Sequence, residues 1–320
     1  MSNPVNVAVL DDYQRVARTL ADWGSLAPAS RVAFFHDHVR DVEQLAVRLQ
    51  SFEVVVLTRE RTLFGADLIS RLPNLKLVVS LGRMNAAIDL AAAKARGVLV
   101  SGTTGGDPHS MPAFTWSLIL ALTRNLYREA TSLRAGGWQV GLGVSLHGKT
   151  LGLLGLGNIG RAVATLGGAF GMHPIAWSEN LSAEKAAESG VERVEKDDLF
   201  RRADVLSVHL KLSERTTGLV GTRELALMKP TAFLVNTSRG PIVSEDALVA
   251  ALRDKRIAGA ALDVFDVEPL PPEHAFRVLP NVLATPHIGY VTEGNYRNAF
   301  PQFVEIIRAW LDGKPVAPMT

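Results

Sequence analysis

The sequence predicts an α/β protein made of two doubly wound parallel-sheet domains, and three observations predict it. Apolar strand-like runs alternate with helical patterns along nearly all of the 320 residues, the pattern of parallel sheets covered by helices on both faces. At TLGLLGLGNIGRAVA, residues 150–164, a strand, a glycine turn and a helix follow one another directly. Such a glycine turn normally opens a nucleotide domain, yet about 150 residues precede it here. Those residues carry their own βα units and must build a separate sheet.

Taken in order, the strand runs before the glycine loop are VNVAVL (5–10), RVAFF (31–35), EVVVLT (53–58), LKLVVSL (75–81) and VLVSG (98–102). Helical stretches lie between them at 41–50 and 89–96. A long helical pattern from Met111 to Ala135 separates the halves; Pro108 and Pro112 suit its start, and Gly136–Gly137 ends it. After the loop come HPIAW (173–177), VERV (191–194), VLSVHL (205–210), AFLVNTS (232–238), IAGAALDVF (257–265) and VLATPHI (282–288). The segment 292–312 has helical periodicity in Phe300, Phe303, Ile306, Ile307 and Trp310 and is expected to return to the first domain. The expected division is therefore a discontinuous domain of residues 1–106 and 290–320 and a nucleotide-binding domain of residues 107–289. Two chain crossings make a hinge, with an active site expected in the cleft.

Leu151, Leu153 and Leu154 form a short apolar run, as a strand buried on both faces requires. Gly155, Gly157 and Gly160 then take the G-x-G-x-x-G spacing. The first glycine permits the tight turn, the second lets backbone approach a pyrophosphate, and the third lets the helix pack on the strand. The helix starts near Asn158, so the N–H groups around Asn158, Ile159 and Gly160 face the phosphates. This is the fingerprint of a Rossmann dinucleotide site. The ribose-reading position falls at the end of the next strand, on Ser178 or its neighbour Glu179. Ser178 is neutral and Glu179 one place late, which leaves Glu179 open as an ordinary solvated acid. No Arg or Lys lies between His173 and Glu184 to meet a 2′-phosphate. NAD is the expected cofactor, with NADP as the alternative.

Composition excludes several classes. Hydrophobic residues make up 47% and charged residues 21%, enough apolar material for two cores. Net charge is +2 from 34 basic and 32 acidic residues, so no nucleic-acid partner is indicated. With no cysteine, disulfides, thiolate metal sites and cysteine nucleophiles are all excluded, and no metal site is predicted. The start MSNPVNVAVLDDYQ lacks a basic region and a long apolar core, and no run approaches the ~20 residues of a membrane span. A soluble, cytoplasmic protein with no membrane partner is the expectation.

In an open parallel sheet, ligands bind beyond the carboxyl ends of the strands. Three segments of the second half place charged residues there: Arg239 after AFLVNTS, Asp263 at the end of IAGAALDVF with Glu268 after it, and His287 after VLA. Reduction of a 2-keto acid moves a hydride to the carbonyl carbon and a proton to its oxygen. His287 can deliver that proton, Glu268 can fix its tautomer and favour the imidazolium, and Arg239 can hold a carboxylate through its planar fork. Taken singly, each has an ordinary reading as a structural histidine or a solvated cap. Together, downstream of a dinucleotide loop, they point to chemistry.

The motifs GLGNIG (155–160), VNTSRGPIVSEDAL (235–248), ALDVFDVEPLP (261–271) and TPHIGYVTEGNY (285–296) resemble the D-isomer-specific 2-hydroxyacid dehydrogenase family. That family includes phosphoglycerate dehydrogenases, glyoxylate/hydroxypyruvate reductases and formate dehydrogenases, and the resemblance spans essentially the whole chain. It implies a flavodoxin-like substrate domain beside the Rossmann domain and a homodimer joined through the latter. It also implies Arg239 as substrate-binding arginine, Glu268 as the histidine's partner and His287 as acid/base. Asp263 is implied to support the nicotinamide end, and Thr237 and Leu210 to line the cofactor. Arg59 matches a substrate-domain position that can face the cleft, although the run Arg59-Glu60-Arg61 also suits a plain surface. The family's substrate loop commonly runs G-x-G-x-D-N-x-D. Here it is Gly82-Arg83-Met84-Asn85-Ala86-Ala87-Ile88-Asp89, so Gly82 and Arg83 are the candidate substrate contacts, with an outward Arg83 paired to Asp89 as the alternative. Other departures are Ala113 for a frequent Glu, Lys211 for a frequent Pro, and Ser178 for the usual ribose-binding Asp.

The expected function is hydride transfer between NAD(H) and a small 2-keto/2-hydroxy acid. The alternative is an NAD(H)-sensing, corepressor-like binding protein on the same fold. Formate oxidation is disfavoured because residues 284–291 contain no Gln beside the histidine.

Overall fold

In this computed structural model, which describes residues 3–314 and 316–319, the apolar runs become twelve strands. The outermost ends of the expected domain division (1–2, 315 and 320) lie outside the described residues. The first five strands are β1 (Val5–Val9), β2 (Ser30–Phe34), β3 (Val54–Leu57), β4 (Leu77–Ser80) and β5 (Leu99–Gly102). They pair in parallel in the order β2-β1-β3-β4-β5. β3 and β4 are buried at every position, which is why VVVL in β3 is an unbroken apolar run and β4 has three consecutive apolar residues before Ser80 rather than alternating ones. The helices Val42–Leu49 and Leu90–Ala95 are capped by Asp41 and Asp89, whose carboxylates accept from Gln44 N and Ala92 N.

The remaining strands are β6 (Thr150–Leu154), β7 (His173–Trp177), β8 (Glu192–Arg193), β9 (Val205–Val208), β10 (Phe233–Asn236), β11 (Gly259–Leu262) and β12 (Val282–Ala284). Their order is β12-β11-β10-β9-β6-β7-β8, again all parallel. The run VERV yields only a two-residue strand, and both residues are exposed. Charge and shortness suit this sheet edge, where a longer apolar strand would invite pairing with another chain. In both sheets the strand order reverses at one point, between β1 and β3 in the first and between β6 and β9 in the second. Loops flanking such a point form the natural ligand crevice of each sheet.

The chain divides into two compact units, Met1–Asp107 with Val291–Thr320, and Pro108–Tyr290. The C-terminal helix Glu293–Leu311 belongs to the first unit, burying Tyr296, Phe300, Phe303 and Ile307 there. One expectation changes. The pattern from Met111 to Ala135 is not a single helix but two, Ser110–Thr123 and Leu126–Arg134. Asn125 between them is left-handed at φ 53°, a conformation asparagine tolerates better than most residues. Its amide donates to Leu142 O at 3.0 Å, and Val144 N donates to Thr123 O at 2.8 Å, so the returning chain ends the first helix. No helix among the described residues is long and apolar enough to cross a membrane.

Candidate active site

The glycine loop behaves as three separate requirements. Gly155 sits at φ 104°, a region other residues rarely adopt, and an added Cβ would lie 2.8 Å from His209 O, past the end of β9. At Gly160 an added Cβ would collide with the carbonyl oxygen of Gly155, so only glycine lets the helix Asn158–Ala169 pack so closely. Gly157, by contrast, has nothing within 4 Å of where a Cβ would stand. Gly157 is the N-cap of that helix and no side chain caps it. The N–H groups of Asn158, Ile159 and Gly160 therefore keep their positive end for a ligand, beside open space, at the switch point. These residues fit a dinucleotide pyrophosphate.

Around this loop, Ser178 is half-buried and Glu179 exposed just past β7. Leu210 is half-buried and Lys211 exposed past β9. His209 lies between β9 and Leu210 with Nε2 2.9 Å from Ser207 Oγ. Part of the residue reaches the surface, but loss of solvation lowers the imidazole pKa to about 4, so it is neutral at pH 7. Thr237 is buried, its hydroxyl 2.9 Å from that of Thr115.

Arg239, Glu268 and His287 lie just beyond β10, β11 and β12. Asn236 shapes the first of these loops, its Nδ2 donating to Arg239 O at 2.9 Å while Ser238 N donates to its Oδ1 at 3.0 Å. Arg239 is half-buried and donates from one guanidinium nitrogen to Ser238 O at 2.7 Å. The next residue must be glycine, since a Cβ at Gly240 would overlap the backbone of Phe265. That contact joins the Arg239 loop to the loop carrying Glu268.

His287 Nδ1 lies 2.6 Å from Glu268 Oε2, and Glu268 Oε1 accepts from Phe265 N at 2.9 Å. The carboxylate accepts the Nδ1 proton, which leaves Nε2 as the nitrogen for exchange with a substrate. Both side chains keep about a fifth of their surface exposed, 20% and 23%, so the pair is open on one side. His287 itself is left-handed at φ 51°, an uncommon state held by its surroundings. Asp263, fully buried, supplies the restraint. One carboxylate oxygen accepts from Thr285 Oγ1 at 2.7 Å and Ile288 N at 2.9 Å, and the other from Gly289 N at 2.9 Å. Burial pushes the Asp263 carboxyl above the ordinary aspartate range, against the pull of those bonds and of His287. Ser110 Oγ also donates to Gly289 O at 2.9 Å, bracing the loop from the helix Ser110–Thr123. Sequence reasoning missed Ser110, Thr115, Thr285 and Gly240. The first three carry only ordinary hydroxyls, whereas the glycine beside Arg239 was a readable signal.

The first unit holds the other candidates. Arg59, just past β3, is left-handed at φ 55°. Gly82, past β4, has φ 86°, and its N–H donates to Thr103 Oγ1 at 2.9 Å. Arg83 is exposed, one guanidinium nitrogen 3.5 Å from Pro318 O. The pairing of Arg83 with Asp89 is not what the structure shows, because the Asp89 carboxylate caps the helix Leu90–Ala95 at 2.8 Å from Ala92 N.

Comparisons with known proteins agree with this architecture. Residues 116–289 match the family model described as D-isomer specific 2-hydroxyacid dehydrogenase, NAD binding domain. A glyoxylate reductase of Aeropyrum pernix is 41% identical over 257 residues, 78% of this chain and 77% of that one. A D-3-phosphoglycerate dehydrogenase of Methanocaldococcus jannaschii is 36% identical over 275 residues, 85% of this chain but only 52% of its own length. The chain thus spans about half of that longer relative. The crystal structure of a phosphoglycerate oxidoreductase from Vibrio cholerae O395 superposes with a TM-score of 0.91 at 39% identity, over 97% of this chain and 99% of that one. With the glycine loop, the strand-end residues and these relatives in agreement, the chain belongs to the D-isomer specific 2-hydroxyacid dehydrogenase family, an oxidoreductase that carries the family's NAD-binding domain.

Proposed function

We propose that the protein is a reductase of a small 2-keto acid, with His287 as proton donor, Glu268 as its partner and Arg239 as the clamp for the substrate's carboxylate and carbonyl. The observation that carries this reading is the 2.6 Å His287–Glu268 pair on the same sheet edge as an uncapped dinucleotide helix. Residues Gly155–Gly160 would hold NADH, which would supply the hydride for the carbonyl carbon. The protein's own part is to orient and to protonate. His287 Nε2 gives its proton to the carbonyl oxygen as the hydride arrives, and the Glu268 carboxylate stabilises the imidazolium before transfer. Arg239 offers two parallel N–H donors to a carboxylate, fixing which carbon presents itself. Thr237 and Leu210 would line the cofactor, and Asp263 would support its nicotinamide end.

Glyoxylate reductase activity is what the name of the Aeropyrum pernix relative states, and glyoxylate is the first substrate to try. The deciding assay mixes the protein with NADH or NADPH and glyoxylate, hydroxypyruvate or pyruvate, following absorbance of the reduced cofactor. Oxidation of NADH by at least one keto acid is expected. NADH is expected to be preferred, since no Arg or Lys lies between His173 and Glu184 to meet a 2′-phosphate. Cofactor binding without turnover of any keto acid would instead favour the NAD(H)-sensing reading.

In the first unit, Arg59, Gly82 and Arg83 are proposed to bind substrate. A single carboxylate needs one arginine, so further cations suit a substrate with a second acidic or strongly polar group. Arg83→Ala is expected to raise KM by about tenfold, near 1.4 kcal/mol for one charged contact. If KM and kcat both stay within about twofold, too small a change for a lost charged contact, Arg83 is not a ligand.

A homodimer is proposed through the nucleotide-binding unit. The helix Leu126–Arg134 buries none of its residues, and the segment after it exposes Trp138 at 74% and Leu142 at 94%. Large apolar side chains so exposed are the mark of a surface that another molecule covers. Light scattering should return twice the mass of one chain, and Leu142→Asp should return one. A wild-type monomer rules the dimer out.

A further inference from the structure

We infer that Asn85 is a positioning residue for substrate binding, acting by holding the Arg59 turn against Gly82. The inference rests on the proposed role of Arg59 in binding substrate, and it concerns a residue that the family's loop pattern leaves unspecified.

The two arginines flanking Glu60 have different surroundings. Arg61 is engaged in structure, donating to Asp11 O at 2.6 Å and Tyr296 Oη at 3.1 Å, with its guanidinium 4.8 Å from the Tyr13 ring centre. Arg59 points elsewhere. A Cβ built on Gly82 would stand 2.5 Å from its terminal nitrogen, so the guanidinium lies directly over the bare Cα of Gly82. Its Nε is 3.7 Å from the Glu60 carboxylate. The guanidinium is thus seated on the loop that carries Gly82 and Arg83, past the carboxyl end of β4, where a parallel sheet presents its ligand groups.

That seat depends on an unfavourable backbone. A long side chain at φ 55° is held there only if its surroundings demand it. Asn85 makes the demand. Its Nδ2 donates to Arg59 O at 2.7 Å and to Ser80 Oγ at 3.0 Å, while its Oδ1 accepts from Ala87 N at 2.9 Å. One buried amide, 6% exposed, therefore ties the turn after β3 to the end of β4 and to the loop between Gly82 and Ile88. Ala86 and Ala87, the neighbours that follow it, have no polar side chain to share the task. Asparagine is needed rather than aspartate, because the group facing the Arg59 carbonyl must donate.

The test is a double-mutant cycle of Asn85→Asp with Arg59→Ala, read as KM and kcat for the keto acid reduced best. Aspartate keeps the size and the acceptor for Ala87 N but sets an oxygen against the Arg59 carbonyl. In the wild-type background, Asn85→Asp is expected to raise KM about fivefold or more, with kcat and NADH affinity within about twofold, the scale of one lost and inverted contact. In the Arg59→Ala background the same change should move KM by less than about twofold, because coupled residues are not additive. An equal rise of KM in both backgrounds overturns the inference. If Arg59→Ala alone leaves KM unchanged, the reading of Arg59 fails first, and this inference falls with it. Should circular dichroism show that Asn85→Asp does not fold, Asn85→Ala takes its place in the same cycle with the same expected outcomes.

Discussion

Replacing His287 with alanine is expected to lower kcat by about 10²–10⁴-fold, the usual loss for a positioned acid, with NADH affinity nearly intact. The proposed cofactor contacts, from the glycine helix, Thr237 and Leu210, with Asp263 supporting the nicotinamide end, do not include the imidazole. The proton, however, has one evident source. Nδ1 is committed to Glu268 at 2.6 Å, so Nε2 is the group that can meet a carbonyl oxygen. A His287→Ala enzyme with wild-type kcat would falsify the assignment. Glu268→Gln gives a second reading of the same pair. A neutral amide holds the imidazolium less well than a carboxylate does, so kcat for reduction should fall while NADH affinity stays nearly intact. An unchanged kcat means that the pair does not control the proton.

The second large effect is expected at a residue that need not touch the substrate. Asp263→Asn should destabilise the protein by about 2–4 kcal/mol and lower kcat about 10–100-fold, through misplacement of the proton donor. The two carboxylate oxygens of Asp263 accept from three donors on the 285–289 loop. An asparagine amide that keeps Thr285 and Ile288 on its oxygen must point its NH₂ at the N–H of Gly289. The loop cannot easily move away. A Cβ at Gly289 would lie 2.7 Å from Met111 Sδ, and Gly289 O is held by Ser110. The strain falls on His287 and its left-handed backbone. Thr285→Val, which removes one hydroxyl bond only, should cost about 1 kcal/mol and spare most of kcat. Thermal unfolding and kcat measured on both variants decide the matter. Equal, small effects would mean that the negative charge at Asp263 is dispensable. The pH dependence has a definite sign as well. With its folded pKa raised above the ordinary 3.8, ionised Asp263 costs stability as pH rises through the window above 3.8. That contribution should be absent from Asp263→Asn.

Much of the scaffold was legible in the residues alone. An unbroken run such as VVVL in β3 has no polar face, and only a strand covered on both sides can use it. The three glycines at 155, 157 and 160 carry their spacing openly; the backbone demands glycine at Gly155 and Gly160, while Gly157 leaves open space at the helix start. Arg239, Glu268 and His287 could be named as a set, since each directly follows a recognisable strand. Tertiary structure decided the rest. Asn125 breaks a helical pattern because the chain returns to bond its amide at Leu142, 17 residues on, and no helical period reports a distant carbonyl. Glu268 meets His287 across 19 residues, and Asp263 meets Gly289 across 26, through loops whose paths are set by neighbouring strands. Arg59 and Arg61 look alike in sequence, yet one is seated on Gly82 and the other is spent on Asp11 and Tyr296. Asn85 carried no pattern at all. Periodicity records which face of an element avoids water, a property of each residue and its near neighbours. Hydrogen-bond partners depend on where separate loops arrive, and only the folded sheets bring those ends together.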